Sequence, residues 1–219
     1  TYYWATTTMI DQAKVSYQAL LEDNANLLDR RFNEIDTFVN EISKTKWINK
    51  IIYMRTPIER YDRIDYNVFL DYLQQFVIYN SLNDFIDEVG IYFNQKDLVM
   101  SSVGKDSFES FFTHSYNLRG MDLEDWNILL NQFNDRILIE PAKISSYGRE
   151  YRALTYVKTL PDVDAIPKST AIIAIREDTV KNILSHISFD DQTSVYVFDE
   201  YNNFLLGTNT EDGVSNQLI

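Results

Sequence analysis

The chain contains no cysteine, and this absence excludes several kinds of chemistry at once. Disulfides, thiolate nucleophiles and cysteine-ligated zinc all require residues that are missing. Histidine is nearly as scarce, with only His114 and His186. They lie far apart in the sequence and do not form the H-E-x-x-H spacing of a zinc site. We therefore predict no metal site and no cofactor.

Glycine is also rare, and the six glycines are isolated from one another. The sequence therefore lacks a glycine-rich phosphate loop and the G-x-S-x-G turn of many hydrolases. Adjacent carboxylates are common, and a glycosidase needs two that face each other across a cleft. We expect most of these pairs to lie at solvated turns and helix ends, and we predict that the chain is not an enzyme. The pairs are Asp87–Glu88, Glu124–Asp125, Asp190–Asp191 and Glu211–Asp212.

No cluster of basic residues offsets the net charge of −13, which argues against nucleic-acid binding. No run of about 18 apolar residues is present, so we expect no membrane-spanning segment and no signal peptide within the sequence. Tyr2, Tyr3 and Trp4 would fall at a membrane interface if a transmembrane segment preceded them. The alternative is that these aromatic residues pack on a neighbouring element.

What the sequence does contain is enough apolar surface for a large core, since 45% of its 219 residues are hydrophobic. Apolar residues recur at spacings of three and four from Thr8 to about Ile42, which predicts one long amphipathic helix capped by Thr8. Such a helix would be roughly 50 Å long. We expect it to be a spine of the fold, a dimer interface, or both.

The pattern after this helix predicts an α+β fold with a mainly antiparallel sheet. A second helix is expected at 66–79, and "GIYFNQKDLVM" predicts a hairpin with arms at 88–93 and 98–103. Two short helices follow, the second capped by Asp122. The later elements begin with an extended piece ending near Pro141 and strands in 150–161 and 169–178, and 171–175 is expected at the centre of the sheet. A helix at 179–187, capped by Asp178, and a hairpin at 195–206 follow.

This order resembles a known family of sensor domains. "FIDEVGIYFNQKDLVMSS" is similar to the first hairpin of the extracytoplasmic Cache fold, and "RALTYVKTLP", "IIAIRED" and "TVKNILSHI" follow in that fold's usual order. "SVYVFDEYNNFLLGTN" resembles the opening of the second, membrane-proximal module of double Cache domains. The resemblance covers nearly the whole chain and rests on pattern and order.

The resemblance implies an extracellular ligand-sensing domain of a bacterial transmembrane receptor. Such domains lie between two transmembrane helices and form parallel homodimers along the N-terminal helix. The implied output is an AraC-type regulator or a sensor histidine kinase, of the kind found in low-GC Gram-positive bacteria. The implied divisions are a spine helix at 1–50, a membrane-distal sensor module at 51–187, and the start of a proximal module at 188–219.

Aromatic and arginine residues between 111 and 156 have the composition of a small-molecule pocket. In the family, the ligand lies between the sheet and the helical insertion, and an Arg, a Trp and a Tyr clamp an amino acid. Arg119 and Trp126 follow that order, but their separation differs from the family's, so the ligand stays open between an amino acid, a carboxylate or a similar small molecule. The candidate ligand-binding residues are Tyr92, Tyr116, Arg119, Trp126, Tyr147, Arg152 and Tyr156.

Two functions remain open at this point. The first is a sensor that shifts its N-terminal helix when a ligand binds. The second is a structural or protein-interaction module whose pocket is closed by its own side chains. Arg119 could also pair with Asp122 on the surface, and Trp126 could be a core residue.

Overall fold

The computed structural model describes most of the chain. The described residues are 2–53, 66–71, 73–74, 84–94, 96–160, 167–185, 194–199 and 201–208, with side chains described from residue 12 onward, except that of residue 13. Some predictions fall outside these ranges. They are the connection around Pro57, the end of the second helix, the loop from Pro161, the end of the predicted helix at 179–187 with His186, and the chain after Thr208.

The first helix, α1 (Tyr2–Ser43), is longer than the sequence pattern predicted. The predicted start at Thr8 is wrong, because no Gly or Pro interrupts the preceding residues and a threonine can be accommodated inside a helix. A short turn leads to α2 (Lys46–Tyr53). Residues 66–71 and 73–74 are helical, as predicted for that stretch.

A seven-stranded sheet forms the centre of the described structure, and all its pairs are antiparallel. The spatial order is β3-β2-β1-β7-β6-β5-β4, which places β7 in the middle, as its apolar sequence predicted. The strands are β1 (Ile86–Phe93), β2 (Leu98–Ser101), β3 (Lys105–Asp106), β4 (Asn117–Leu118), β5 (Ile137–Ser146), β6 (Arg149–Leu160) and β7 (Ser169–Arg176).

β5 is longer than predicted, and a tight turn follows it. The strand does not end near Pro141 but continues to Ser146, because the register shifts between Ile139 and Ala142 and a bulge tolerates a residue without an N–H group. The turn to β6 is made by Tyr147 and Gly148, both with positive φ (45° and 83°). Such a two-residue turn matches the twist of a hairpin.

One face of the sheet packs against α1 and α2. Ile35, Val39 and Ile42 of α1 are fully buried there, together with Ile173 of β7 and Leu154 of β6. The predicted apolar stripe is therefore confirmed from Leu28 onward. The preceding part of α1 is different, because no described side chain between residues 12 and 23 is buried.

The other face of the sheet is covered by the helical insertion between β3 and β5. It begins with α3 (Phe108–Ser110), which continues into a π-helical turn at 111–115. It ends with α4 (Leu123–Leu130). The predicted cap of α4 is confirmed, because Asp122 accepts hydrogen bonds from the backbone of Glu124 and Asp125, and the Asp125 carboxylate accepts one from the backbone of Asp122.

The last elements are α5 (Glu177–Ser185) and a separate two-stranded sheet of β8 (Tyr196–Phe198) and β9 (Phe204–Gly207). Asp178 does not precede α5 as predicted. It lies inside the first turn, since α5 follows β7 directly and begins at Glu177. The predicted α+β fold with a long N-terminal helix is confirmed. Within the described residues, no helix is long and apolar enough to cross a membrane.

Candidate ligand-binding site

The insertion brings a dense aromatic cluster onto its face of the sheet. Phe111, Phe112, Tyr116 and Trp126 are all almost completely buried. Phe112 stacks on Trp126 with ring centroids 4.3 Å apart, and Phe111 stacks on Tyr116 at 5.7 Å. The aromatic side chains therefore fill the middle of this face instead of lining an open cavity there.

Gly90 of β1 allows this close packing. A Cβ atom at Gly90 would lie 3.0 Å from Cζ of Phe111, closer than ordinary contact. The ring thus lies directly on the strand backbone, and a side chain at residue 90 would push it outward.

Next to this aromatic cluster lies a carboxylate in an unusual position. Glu88 is only 2% exposed, and its Oε2 accepts a long hydrogen bond of 3.4 Å from Tyr151. Its Oε1 has no hydrogen-bond partner among the described residues. A buried carboxylate oxygen without a donor is costly, which makes this atom a candidate for contact with a ligand.

A register shift in β1 places Glu88 on the insertion face. Ile86 pairs with Ile175 and Glu88 pairs with Ala174, so two residues of β1 occupy the space of one on β7. This bulge lets Ile86 face the α1 core while Glu88 points the same way as Gly90 and Tyr92.

Charged groups surround Glu88 on its solvent side. The adjacent Asp87 forms an ion pair of 3.1 Å with Arg176 of β7 and a longer one of 3.7 Å with Arg149 of β6. The guanidinium of Arg149 also lies over the ring of Tyr151, 5.8 Å from its centroid. We call Asp87, Glu88, Arg149, Tyr151 and Arg176 the Glu88 cluster.

Burial dominates the electrostatics of this cluster. It raises the pKa of Glu88 to about 7, and the negative charges of Asp87 and Asp106 act in the same direction. The hydrogen bond from Tyr151 and the charge of Arg149 act against this rise. Burial also raises the pKa of Tyr151 and Tyr116, whose hydroxyls stay protonated. The cluster therefore holds one carboxyl group that can change its charge near neutral pH.

A second feature of the insertion side is an open cleft of about 550 Å³. It is lined by Ser110, Thr113, His114, Ser145, Tyr147 and Gly148. The Tyr147 hydroxyl contacts Ser115 Oγ at 2.7 Å and donates to Asp106 Oδ2 at 3.3 Å. Asp106 thus connects this cleft electrostatically with Glu88.

Four of the seven predicted ligand-binding residues lie on the insertion side. Tyr92, Tyr116 and Trp126 are buried in the aromatic cluster, and Tyr147 lies exposed at the cleft. The Tyr116 hydroxyl lies 2.9 Å from Thr155 Oγ1 on β6. The fifth residue, Arg119, is exposed beyond β4.

The last two predicted residues lie on the opposite face of the sheet. Tyr156 donates a hydrogen bond of 2.6 Å to Asp36 of α1. Arg152 pairs with Glu177 of α5 and also donates to the Pro141 carbonyl. The structure therefore does not bring Arg152 and Tyr156 together with Tyr116, because even-numbered residues of β6 point toward α1. The ligand-binding role of the seven residues stays a prediction.

The sequence predicted a strand from residue 88 but did not single out Glu88 as a site residue. The structure places both Asp87 and Glu88 in β1 and buries Glu88, so this pair is an exception to the expectation that most carboxylate pairs lie at solvated turns. The available signal was the alternation in "EVGIY", which puts Glu88 on the same face as Gly90 and Tyr92. The bulge could not be predicted from that alternation.

The part of the chain that the structure describes contains no group of three or more potential metal ligands. It does contain a second, larger groove of about 900 Å³ on the α1 side. Leu28 and Phe32 of α1 form one wall, and Val197 and Leu205 of the last hairpin form another. This groove lies where the β8–β9 hairpin approaches α1.

The chain is similar in overall form to solved sensory domains. One is the ligand-binding domain of the Campylobacter jejuni chemoreceptor Tlp3 in complex with 4-methylisoleucine, at 16% identity and a TM-score of 0.42, covering 93% of this chain and 74% of that one. Another is the sensory domain of Tlp3 with isoleucine bound, at 16% identity and a TM-score of 0.42, covering 93% and 76%. No family model and no curated protein matches the chain.

Proposed function

We propose that the chain is the extracytoplasmic ligand-sensing domain of a bacterial transmembrane receptor. The observation that carries this proposal is the buried, unpartnered Oε1 of Glu88 on the sheet face beneath the insertion. A stable core has no need of such an atom, whereas a binding site uses a few polar groups on an apolar wall. The sequence resemblance to Cache sensors supports the same assignment.

A signal from this site could reach α1 through β6. Thr155 contacts Tyr116 of the insertion, and the next residue, Tyr156, donates to Asp36 of α1. Adjacent residues of a strand face opposite sides of a sheet, so a shift of β6 acts on both faces. We propose that the domain populates two arrangements of α1. Ligand binding shifts the population between them by this route.

Dimerisation through α1 is a further part of the proposal. Val15 is 69% exposed and Leu21 is also exposed, on the part of α1 that precedes its buried stripe. A parallel partner helix would cover these residues. The chain itself contains no cysteine. In a membrane-embedded protein from which any cysteines outside this chain have been replaced, a Val15→Cys variant should give a disulfide-linked dimer, and an Ile35→Cys variant should not. Equal cross-linking of both, or of neither, would contradict this arrangement.

We also propose the module boundaries that the sequence suggested, at 1–50, 51–187 and 188–219. The separate sheet of β8 and β9 supports the beginning of a second unit after α5. Location outside the cytoplasmic membrane, with flanking transmembrane helices and an AraC-type or histidine-kinase output, completes the proposed receptor.

The experiment that tests ligand sensing is a thermal-shift screen of the chain against amino acids, carboxylates, amines, sugars and nucleobases. A ligand that binds only the folded state at 100 times its dissociation constant adds about 2.7 kcal/mol. Methyl NMR can then locate the site, because Ile172 lies on the insertion face and Ile173 on the α1 face. We expect a hit whose first chemical-shift changes include Ile172. Silence across the screen would overturn the proposal.

The alternative is a structural or protein-interaction module. The observation that favours it is the filled middle of the insertion face, where Phe112 and Trp126 stack closely. In that case no small molecule changes the Ile172 methyl signal, and Glu88 is a stability defect without a function.

A further inference from the structure

We infer that the groove between α1 and the β8–β9 hairpin binds a neutral, mainly apolar small molecule. This site goes beyond the proposed sensing function, because the groove lies on the α1 side of the sheet and the Glu88 cluster lies on the other. Its volume of about 900 Å³ is within the range of small-molecule pockets. Its lining comes from α1, β5, α5 and the hairpin, so the groove is formed by tertiary packing.

The base and walls of the groove are apolar. Leu28 of α1, Leu184 of α5 and Leu205 of β9 form the base, since their side chains line the groove and are almost completely buried. Phe32 and Leu138 line the walls and are partly buried. An apolar molecule that displaces water from such a lining gains free energy in proportion to the apolar area that it covers.

The rim of the groove keeps large side chains in contact with solvent. Leu21 of α1 is exposed there, as are Tyr196, Phe198 and Tyr201 of the hairpin region. Single exposed apolar residues are ordinary, but four that border one groove extend its apolar surface outward. An occupant that reaches the rim would cover them.

The charged groups of the groove have partners or lie in solvent. Arg136 donates a hydrogen bond of 3.3 Å to Asp36 of α1. The Asp199 carboxylate accepts hydrogen bonds of 2.8 Å from the backbone and the side chain of Asn203. Asp29 is exposed, and an ion pair there would contribute little. A charged molecule would therefore lose hydration without gaining a strong counter-charge, so the occupant that fits is neutral.

The position of the groove connects its occupant to α1. The helix contributes Leu21, Ala25, Leu28 and Phe32, whose spacing of three and four residues makes one stripe of about 16 Å along α1. The hairpin forms the opposite wall. A molecule bound between the two contacts both and favours one position of α1 relative to the hairpin. The groove thus supplies a second input to the helix that the proposed sensor uses as its output.

The test is a methyl NMR titration of the chain near neutral pH with two matched sets of probes. One set is tryptophol, tryptamine and indole-3-acetate, and the other is n-heptanol, n-heptylamine and heptanoate. Each set contains a neutral, a cationic and an anionic member. We expect at least one neutral probe to shift the methyl signals of Leu28, Leu138 and Leu205, and to bind about tenfold or more tightly than its charged counterparts. The signal of Ile172, on the insertion face, should stay unchanged.

Substitutions on the exposed surface of α1 locate the site. Ala25 lines the groove, so Ala25→Trp places a large side chain in the space of the probe and should weaken binding by about tenfold or more. The matched control is Asn26→Trp, at an exposed position that does not line the groove, which should bind as the wild type does. Leu21→Gln, a second variant, removes apolar contact at the rim and should weaken binding by about threefold. Circular dichroism shows whether each variant is folded.

The remaining outcomes contradict the inference. Tighter binding of a charged probe than of its neutral counterpart overturns the ligand class. Equal binding by Ala25→Trp and Asn26→Trp overturns the site. No response of Leu28 and Leu205 to any of the probes overturns the inference as a whole. In that case, nuclear Overhauser contacts from Leu28 to Leu218 identify the end of the chain as the occupant, and signals that shift with protein concentration identify a second copy. Ligand sensing on the insertion face is tested separately, through Ile172, so neither result decides the other.

Discussion

The two faces of the central sheet are built in different ways. On the α1 face, aliphatic residues interlock, and the main polar group of the helix, Asp36, has partners in Tyr156 and Arg136. On the insertion face, aromatic rings dominate, and buried polar atoms are left without hydrogen bonds. In the described part of the chain, these include Glu88 Oε1, Trp126 Nε1 and Thr170 Oγ1. The first face thus satisfies its central polar group, Asp36, whereas the second leaves several buried polar atoms without a hydrogen bond.

The largest effect should come from a core residue of the α1 face. Ile173→Ala removes a fully buried side chain from the central strand and should lower the free energy of unfolding by about 2–5 kcal/mol. The matched variant is Ile172→Ala, the adjacent residue on the insertion face. We expect a smaller loss there in urea titrations, because the aromatic side chains packed on that face can move into part of the space that Ile172 leaves. A larger loss of stability for Ile172→Ala than for Ile173→Ala would contradict the proposed difference between the two faces.

The second effect concerns pH. The pKa of Glu88 is about 7 in the folded chain and 4.5 for an ordinary glutamate, so the folded state binds more protons between these values. Stability should therefore fall as pH rises from 4.5 through 7, by about 3 kcal/mol at most. Glu88→Gln should abolish this loss and be more stable than the wild type at pH 8, but not at pH 4.5.

Thermal unfolding at several pH values measures this difference directly, with Glu41→Gln as the control. Equal stability of Glu88→Gln and wild type at pH 8 would show that Glu88 already has a partner in solution. The insertion face would then be as well satisfied as the α1 face.

A third, smaller effect tests the polar contact of the α1 face. Tyr156→Phe removes the hydrogen bond to Asp36 and should cost about 1–2 kcal/mol. A double-mutant cycle with Asp36→Asn measures the coupling between the two side chains. If the two losses simply add, Tyr156 and Asp36 do not act as a unit, and the proposed route through β6 fails.

The smallest effect should come from the cap of the insertion. Asp122→Ala removes the side-chain contacts to the first turn of α4 and should cost about 1 kcal/mol. We expect faster amide hydrogen exchange in α4 with no change in β7, because the insertion opens locally. Faster exchange in both would mean that the insertion and the sheet unfold together.

The same contrast explains what the sequence could predict. The α1 stripe, the central position of 171–175 and the capping box at Asp122 follow from period, composition and spacing, and the structure confirms them. These are local properties or properties of a strongly apolar segment. The continuation of β5 through Pro141 was not predicted, because proline ordinarily ends a strand. The bulge that accommodates it depends on the register with β6.

The candidate site was harder to predict, because it depends on how the strands pair. Arg152 and Tyr156 look suitable for a pocket by composition, but the face to which each residue of β6 points depends on register. Glu88 was missed because its burial results from a one-residue bulge and from pairing with β7, far away in the sequence. The Glu88 cluster is assembled from three strands that are distant in the sequence, so it is a tertiary property that composition does not contain.

The length of α1 has a mechanical consequence. Its 42 residues form a rod that packs on the rest of the fold from Leu28 onward. From Leu28 to Tyr2 the helix extends about 40 Å, so a tilt of only about 5° where it leaves the core would move the far end by about 3 Å. Such a helix has the geometry of a lever arm, in which a small change of angle at the core becomes a larger displacement at its tip.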